Sequence, residues 1–214
     1  MKIEYFGHSC FKLTDSTNVS VVCDPFSGEI GYLMPEISAN AITISHRHFD
    51  HDCTKNVAGS PSIFDKAGTF NVKGVQISSI KSFHDDVQGK KRGENLIFKF
   101  TMDGITVCHL GDLGESCSDS LIEKILPVNV LSIPVGGNYT IDAETAKEYV
   151  EKLNPQIVIP MHYRTDDCKI DIEKVDEFLK LFDESCICET DSLDLSKEQF
   201  NDNNTKITVI RRAR

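Results

Sequence analysis

Ser45-His46-Arg47-His48-Phe49-Asp50-His51-Asp52 decides how this chain is read. Three histidines and one acid fall within residues 46–51, directly after the apolar, β-branched run Ala41-Ile42-Thr43-Ile44. In an extended backbone, residues two apart point to the same side, so His46 and His48 can grip one ion together. Asp50 and His51 come where the chain must turn, which lets them face a second ion beside the first. Histidine and carboxylate are the usual donors for zinc and for borderline metals such as manganese or iron.

Composition narrows the alternatives. The 214 residues are enough for a sizeable core and are read as one domain over 1–214. No apolar run approaches the roughly eighteen residues a membrane span needs. Glu4 stands where a signal peptide would be apolar, so a cytoplasmic protein is expected. A net charge of −10 repels nucleic-acid backbones, which makes neither nucleic acid nor a membrane an expected partner. Lys90-Lys91-Arg92, and Arg211-Arg212 with Arg214, are the two small basic patches. The eight cysteines lack a secretory context and imply no disulfide framework. Cys10, Cys23 and Cys108 sit in apolar runs as core residues, whereas Cys53 is flagged only for following the histidine motif.

Strands are predicted over 2–6, 9–13, 19–23, 41–45, 75–80, 96–101, 105–110, 128–133, 157–159 and 205–210 from β-branched and alternating runs. Helices are predicted over 118–126, over 142–153 with Ala143, Ala146, Val150 and Leu153 on one face, and over 172–182. The polar stretch 85–95, with Gly89 and Gly93, reads as a mobile loop. Sheet packed on sheet with outer helices fits this order better than a single parallel sheet.

Four other segments place a ligand-type residue after an apolar strand: Val22-Cys23-Asp24-Pro25, Ser82-Phe83-His84, Cys108-His109-Leu110-Gly111-Asp112 and Pro160-Met161-His162-Tyr163. With residues 46–51 they supply donors for two metals sharing a carboxylate. His46, His48, Asp50 and His51 reproduce the His-x-His-x-Asp-His signature, and the segment order resembles the metallo-β-lactamase fold hydrolases. Gly7-His8-Ser9, Asp24-Pro25-Phe26, Val135-Gly136-Gly137-Asn138-Tyr139-Thr140 and Pro160-Met161-His162-Tyr163 look like the small hydrolases related to ascorbate-6-phosphate lactonase. The resemblance implies an α+β, four-layer αββα sandwich. It implies one metal on His46, His48 and His84, a second on Asp50, His51 and His162, and Asp112 bridging both. Asp24 matches the aspartate that supports the metal loop, and His8 a histidine near the site. His109 is read as a strand residue only. Leu113 and Asn138 depart from the family pattern without touching a proposed ligand.

The activity implied is hydrolysis of a small-molecule ester, lactone or phosphodiester at two divalent ions, zinc in first place, then manganese or iron. Asp50 would act on the attacking water as well as bind metal. Gly136, Gly137, Asn138, Tyr139 and Tyr163 are candidate substrate contacts, and Lys90, Lys91 or Arg92 would meet a phosphate. The rival readings are a di-iron redox protein and a non-catalytic metal-binding module. The oligomeric state, including a homo-oligomer, stays open.

Overall fold

Along the first strands the apolar residues alternate, and the two sets go to different places. Ile3, Tyr5, Phe11, Leu13, Val21 and Cys23 enter the main core, while Phe6, Cys10, Val22 and Ile42 enter a second cluster on the other side. A sheet covered on both faces results, because successive strand residues point in opposite directions. The computed structural model describes residues 1–201 and 204–213. Arg214, of the second basic patch, lies outside them.

The first sheet has six strands in the order Leu193–Asp194, Lys2–Gly7, Cys10–Thr14, Ser20–Cys23, Ala41–Thr43 and Ser62–Phe64. The second has eight, in the order Ile187–Thr190, Lys206–Ile210, Ile157–Met161, Val130–Pro134, Ile105–His109, Glu94–Met102, Val75–Phe83 and Gly68–Val72. Phe98 and Phe100, both fully buried, lie in the main core with the inward residues of the first sheet. Truncating either to alanine should cost about 3–5 kcal/mol. The expected α+β sandwich is thus present as two sheets sharing one core.

Helices Asp119–Ile125 and Ala143–Leu153 add their apolar faces to that core through Leu121, Ile125, Ala146, Tyr149 and Leu153. Asp142 starts the longer helix by accepting from the Thr145 N–H at 2.8 Å. The outer cover of the first sheet is not an α-helix. Phe26, Ile30, Tyr32 and Met34, from the irregular stretch after Asp24, close over Val22 and Ile42. Among the described residues no helix is long and apolar enough to cross a membrane.

Three local expectations are corrected. Only Asp176–Leu179 of the predicted 172–182 helix is α-helical. Upstream backbone groups bond to distant turns instead: Lys169 N–H to Ile30 O, Glu173 N–H to Gly136 O, and Arg164 N–H to Glu173 O. Ile172 is buried in that extended segment. Residues 85–95 do not form a free loop. Both Asp85 carboxylate oxygens are used, Oδ1 accepting from the N–H groups of Val87 and Gly89, and Oδ2 from those of Lys91 and Arg92, at 2.7–2.9 Å. Finally, the strand before the histidine motif stops at Thr43, so His46 and His48 lie on a loop rather than in extended strand.

Candidate metal centre

Strand ends build the site. Ile105–His109, Val130–Pro134 and Ile157–Met161 run parallel, so the residues after their C-terminal ends gather on one side, as in open sheets generally. Asp112 and His162 arrive this way, and His84 follows Val75–Phe83, which lies beyond Glu94–Met102 in the same sheet. In the first sheet, Ser20–Cys23 and Ala41–Thr43 are also parallel and deliver Asp24 and the histidine motif. His8, Asp24 and His162 each follow a strand with φ of 56°, 45° and 51°. A left-handed residue other than glycine costs roughly 1–2 kcal/mol, and here it turns a strand sharply at the site. Gly111, at φ 57°, is a glycine by necessity, since a Cβ there would strike Asn95 Oδ1 and Ser45.

The donors converge on one oxygen. Asp112 Oδ2 lies 3.1 Å from His162 Nε2, 3.2 Å from His51 Nε2, 3.4 Å from His84 Nε2 and 3.8 Å from His46 Nε2. Ligands held 2.0–2.1 Å from a tetrahedral zinc stand ~3.3 Å from one another, which is the spacing these atoms have. Three donor groups form: His46, His48 and His84; His8, Asp50, His51 and His162; and His46, His51 and Asp112. His46 Nε2, His51 Nε2 and Asp112 Oδ1 are buried without a hydrogen-bond partner. Three buried carboxylates, Asp24, Asp50 and Asp112, also crowd one site, an arrangement that calls for a cation. The residues fit a divalent metal.

Behind the donors stands a layer that fixes them. Asp24 Oδ2 accepts from His51 Nδ1 at 2.9 Å and from Ser45 Oγ at 2.5 Å, and Asp24 Oδ1 accepts from the Ser45 N–H at 2.8 Å. Ser45 Oγ uses its only hydrogen in the bond to Asp24, so it accepts from His46 Nδ1 at 2.9 Å. Both rings are therefore protonated at Nδ1, which leaves Nε2 as the nitrogen that faces the metal position. Asn95 Oδ1 accepts from the Asp112 N–H at 3.0 Å, while its Nδ2 donates to Ser82 Oγ and Leu110 O. His8 Nε2 lies 3.1 Å from Asp50 Oδ2. An ionised carboxylate can only accept, so that nitrogen carries the proton and His8 holds Asp50 rather than offering Nε2 to a metal.

His109 is more than a strand residue. Its Nε2 donates to Ser9 O at 2.8 Å and its Nδ1 accepts from the Gly111 N–H at 3.2 Å. One buried ring thereby ties the turn before Asp112 to the turn carrying His8. Ser45 stood inside the opening stretch and Asp85 directly after His84, yet nothing in their spacing marked these roles. Asn95 and His109 carried no signal in the sequence. Cys53 belongs to none of the donor groups.

Electrostatics favours metal-ready rings. Burial, and then the proximity of His162, takes His8 down to about 4. Burial takes His84 to about 4 and His46 well below its ordinary value. These three rings are neutral at pH 7. Burial alone would lower His51 and raise Asp112. Instead Asp112 and Asp24 hold His51 well up, and His162 and His51 hold Asp112 well down.

A cleft of about 650 Å³ opens over the cluster, lined by His48, Asp50, His84, Asp112 and His162 together with Arg47, Phe49, Arg92, Tyr139, Lys169, Ile170, Asp171 and Glu29. Of the residues predicted to touch substrate, Arg92 and Tyr139 line it. Gly136 and Gly137 are buried outside it, and a Cβ at Gly136 would strike the His162 carbonyl, so that glycine serves close packing beneath the His162 turn. Asn138 lies beside the cleft and donates to Asp171 O, Tyr163 is buried next to Tyr5, and Lys91 is paired with Asp86 at 3.0 Å. Lys90 is exposed and outside the cleft lining. Residues 169–171, just before the helix predicted over 172–182, were given no role in the sequence.

A two-sheet sandwich with this histidine–carboxylate edge defines a metal-dependent hydrolase of the metallo-β-lactamase superfamily. The family described as beta-lactamase superfamily domain matches residues 2–162, and the chain belongs to it. It is 30% identical over 210 residues to a UPF0173 metal-dependent hydrolase of Methanospirillum hungatei, covering 86% of this chain and 92% of that one. Another, of Methanoculleus marisnigri, is 30% identical over 190 residues, 77% of this chain and 82% of the relative. Among solved structures, a Thermotoga maritima protein of the metallo-β-lactamase superfamily is 37% identical with a TM-score of 0.81, over 98% of this chain and 97% of that chain. CmlA, a diiron β-hydroxylase from Streptomyces venezuelae, shares the fold at 14% identity and a TM-score of 0.65, over 99% of this chain and 53% of its own.

Proposed function

We propose that the chain cleaves a small-molecule ester, lactone or phosphodiester at a dinuclear metal centre. The observation that carries this reading is the convergence of four histidine Nε2 atoms on Asp112 Oδ2. His46, His48 and His84 would hold one ion, Asp50, His51 and His162 the other, with Asp112 shared. Zinc is the first expectation. Two divalent ions lower the pKa of a shared water from about 15.7 towards about 7 and so supply hydroxide at neutral pH.

The chain's own groups do the rest. Asp24, directly and through Ser45, fixes the Nδ1 protons of His51 and His46 and turns their Nε2 atoms towards the metal positions. His8 holds Asp50 through Oδ2, leaving Oδ1 to orient the attacking water and accept its proton. Arg92 and Tyr139 line the space a substrate would occupy. The net charge of −10 supports a small molecule rather than a nucleic acid as the partner.

Metal analysis of the purified protein, followed by a panel of lactones, esters, thioesters and phosphodiesters with D112A as control, tests the proposal. Two equivalents of zinc with Asp112-dependent turnover of one bond class is the expected outcome. A full metal complement with no turnover across the panel would favour a non-catalytic module. Iron with an oxygen-dependent spectrum would favour redox chemistry.

A further inference from the structure

Resting on that hydrolytic reading, we infer that Arg92 is the specificity residue of the cleft and that the substrate carries an anionic group, a carboxylate or a phosphate, beside the bond that is cut. Two arginines line the cleft. Arg47 is occupied, paired with Asp65 and lying 3.8 Å from Asp52. The guanidinium of Arg92, among the described residues, has no carboxylate within 4 Å, although the chain carries 33 acidic residues. Glu29 and Asp171 line the same cleft and neither pairs with it.

Arg92 is also held in place. Its backbone N–H is bound at 2.8 Å by the carboxylate of Asp85, the residue directly after His84. The guanidinium carbon sits 4.5 Å from the centre of the Tyr139 ring. A cation on an aromatic face keeps its in-plane N–H groups free, and the fork they form matches two oxygens of a carboxylate or phosphate. Loop and ring together set this fork at a fixed offset from the His84 end of the cluster, so less freedom is lost when an anion binds. Of the basic triplet 90–92, only Arg92 has this position. Lys169, also in the cleft lining and without a carboxylate partner among the described residues, adds positive charge to the same space.

The test compares matched substrates. Mono(4-nitrophenyl) glutarate is set against 4-nitrophenyl pentanoate, and 2-acetoxyethyl phosphate against 2-acetoxyethanol. The zinc-loaded wild type should prefer the anionic member of at least one pair in kcat/KM by about tenfold or more. R92Q should collapse that ratio, and R92K should restore part of it, since a lysine returns the charge without the fork. The pair with the larger ratio separates carboxylate from phosphate. A ratio near one in the wild type, or one that R92Q leaves unchanged, overturns the inference. Calorimetric titration of glutarate and of phenylphosphate into wild type and R92Q, after chelation of metal, reads the same contact without turnover. If no ester or phosphodiester is hydrolysed but R92Q still weakens anion binding about tenfold, the hydrolytic reading fails and the anion site stands. Equal binding by both proteins removes the site.

Discussion

His51 donates through Nδ1 to Asp24 Oδ2 across 2.9 Å, within a buried pair. The bond fixes which ring nitrogen can meet a metal. In D24N one carboxylate oxygen becomes an NH2 donor, so either the bonds from His51 and the Ser45 hydroxyl or the bond from the Ser45 N–H is lost. Metal affinity should fall by about 10- to 100-fold while the fold persists. Competition against a chromogenic chelator measures this, and an unchanged affinity would remove Asp24 from the site.

Asp112 sits at the centre of four imidazoles. D112A should lose metal and drop turnover to background, because the shared oxygen disappears and the histidines face a gap. Elemental analysis alongside the kinetic assay checks it. Full occupancy with normal activity contradicts the bridging role.

Metal removal should lower thermal stability. The donors come from four separate segments, the loop 46–51 and the strand ends at His84, Asp112 and His162, and meet only in the folded chain, so binding free energy adds to folding free energy. Dialysis against a chelator should reduce Tm by several degrees, and zinc should restore it. A Tm that ignores both treatments would falsify the metal assignment of this cluster.

His109→Phe should destabilise the protein by about 1–3 kcal/mol, since it leaves the Ser9 carbonyl and the Gly111 N–H buried without a partner. Urea unfolding measures the loss. Because the ring ties the His8 turn to the Asp112 turn, the variant should also bind metal more weakly than the wild type.

Asp103 gives a pH signature. Burial pushes its carboxyl up, but bonds from the Ser16 hydroxyl and N–H, and the Met1 ammonium at 3.0 Å, hold it below its ordinary value of 3.8. A depressed carboxylate contributes stability that is present above its unfolded pKa and lost as pH falls through the folded one. Asp103→Asn should therefore be less stable than wild type at pH 7. The difference should shrink as the pH falls below about 4. Urea midpoints at pH 7, 5 and 3 check the sign.

Much of the strand pattern was legible because alternation is local: Ile3, Tyr5, Phe11 and Leu13 reveal their faces from spacing alone. The short strands Ser62–Phe64, Gly68–Val72, Ile187–Thr190 and Leu193–Asp194 were missed, since two to five residues with half-exposed faces carry little periodicity. The helix expected at 172–182 failed for a related reason. Its apolar stripe is real, but Ile172 uses it to pack against Gly136 in an extended segment.

Residues 46–51 pointed to a metal without help, since histidine and carboxylate are the usual donors for zinc and related ions. His84, Asp112 and His162 were visible as donor types at strand ends. Their meeting within 4 Å was decided by the second sheet, whose parallel strands deliver Asp112 and His162 and whose strand Val75–Phe83, beyond Glu94–Met102, delivers His84. Tertiary structure alone decided the supporting bonds of Ser45, Asn95 and His109, and the choice of Arg92 over its lysine neighbours. A hydrogen bond across 100 residues, or a guanidinium without a carboxylate, is a property of packing, and no local pattern records it.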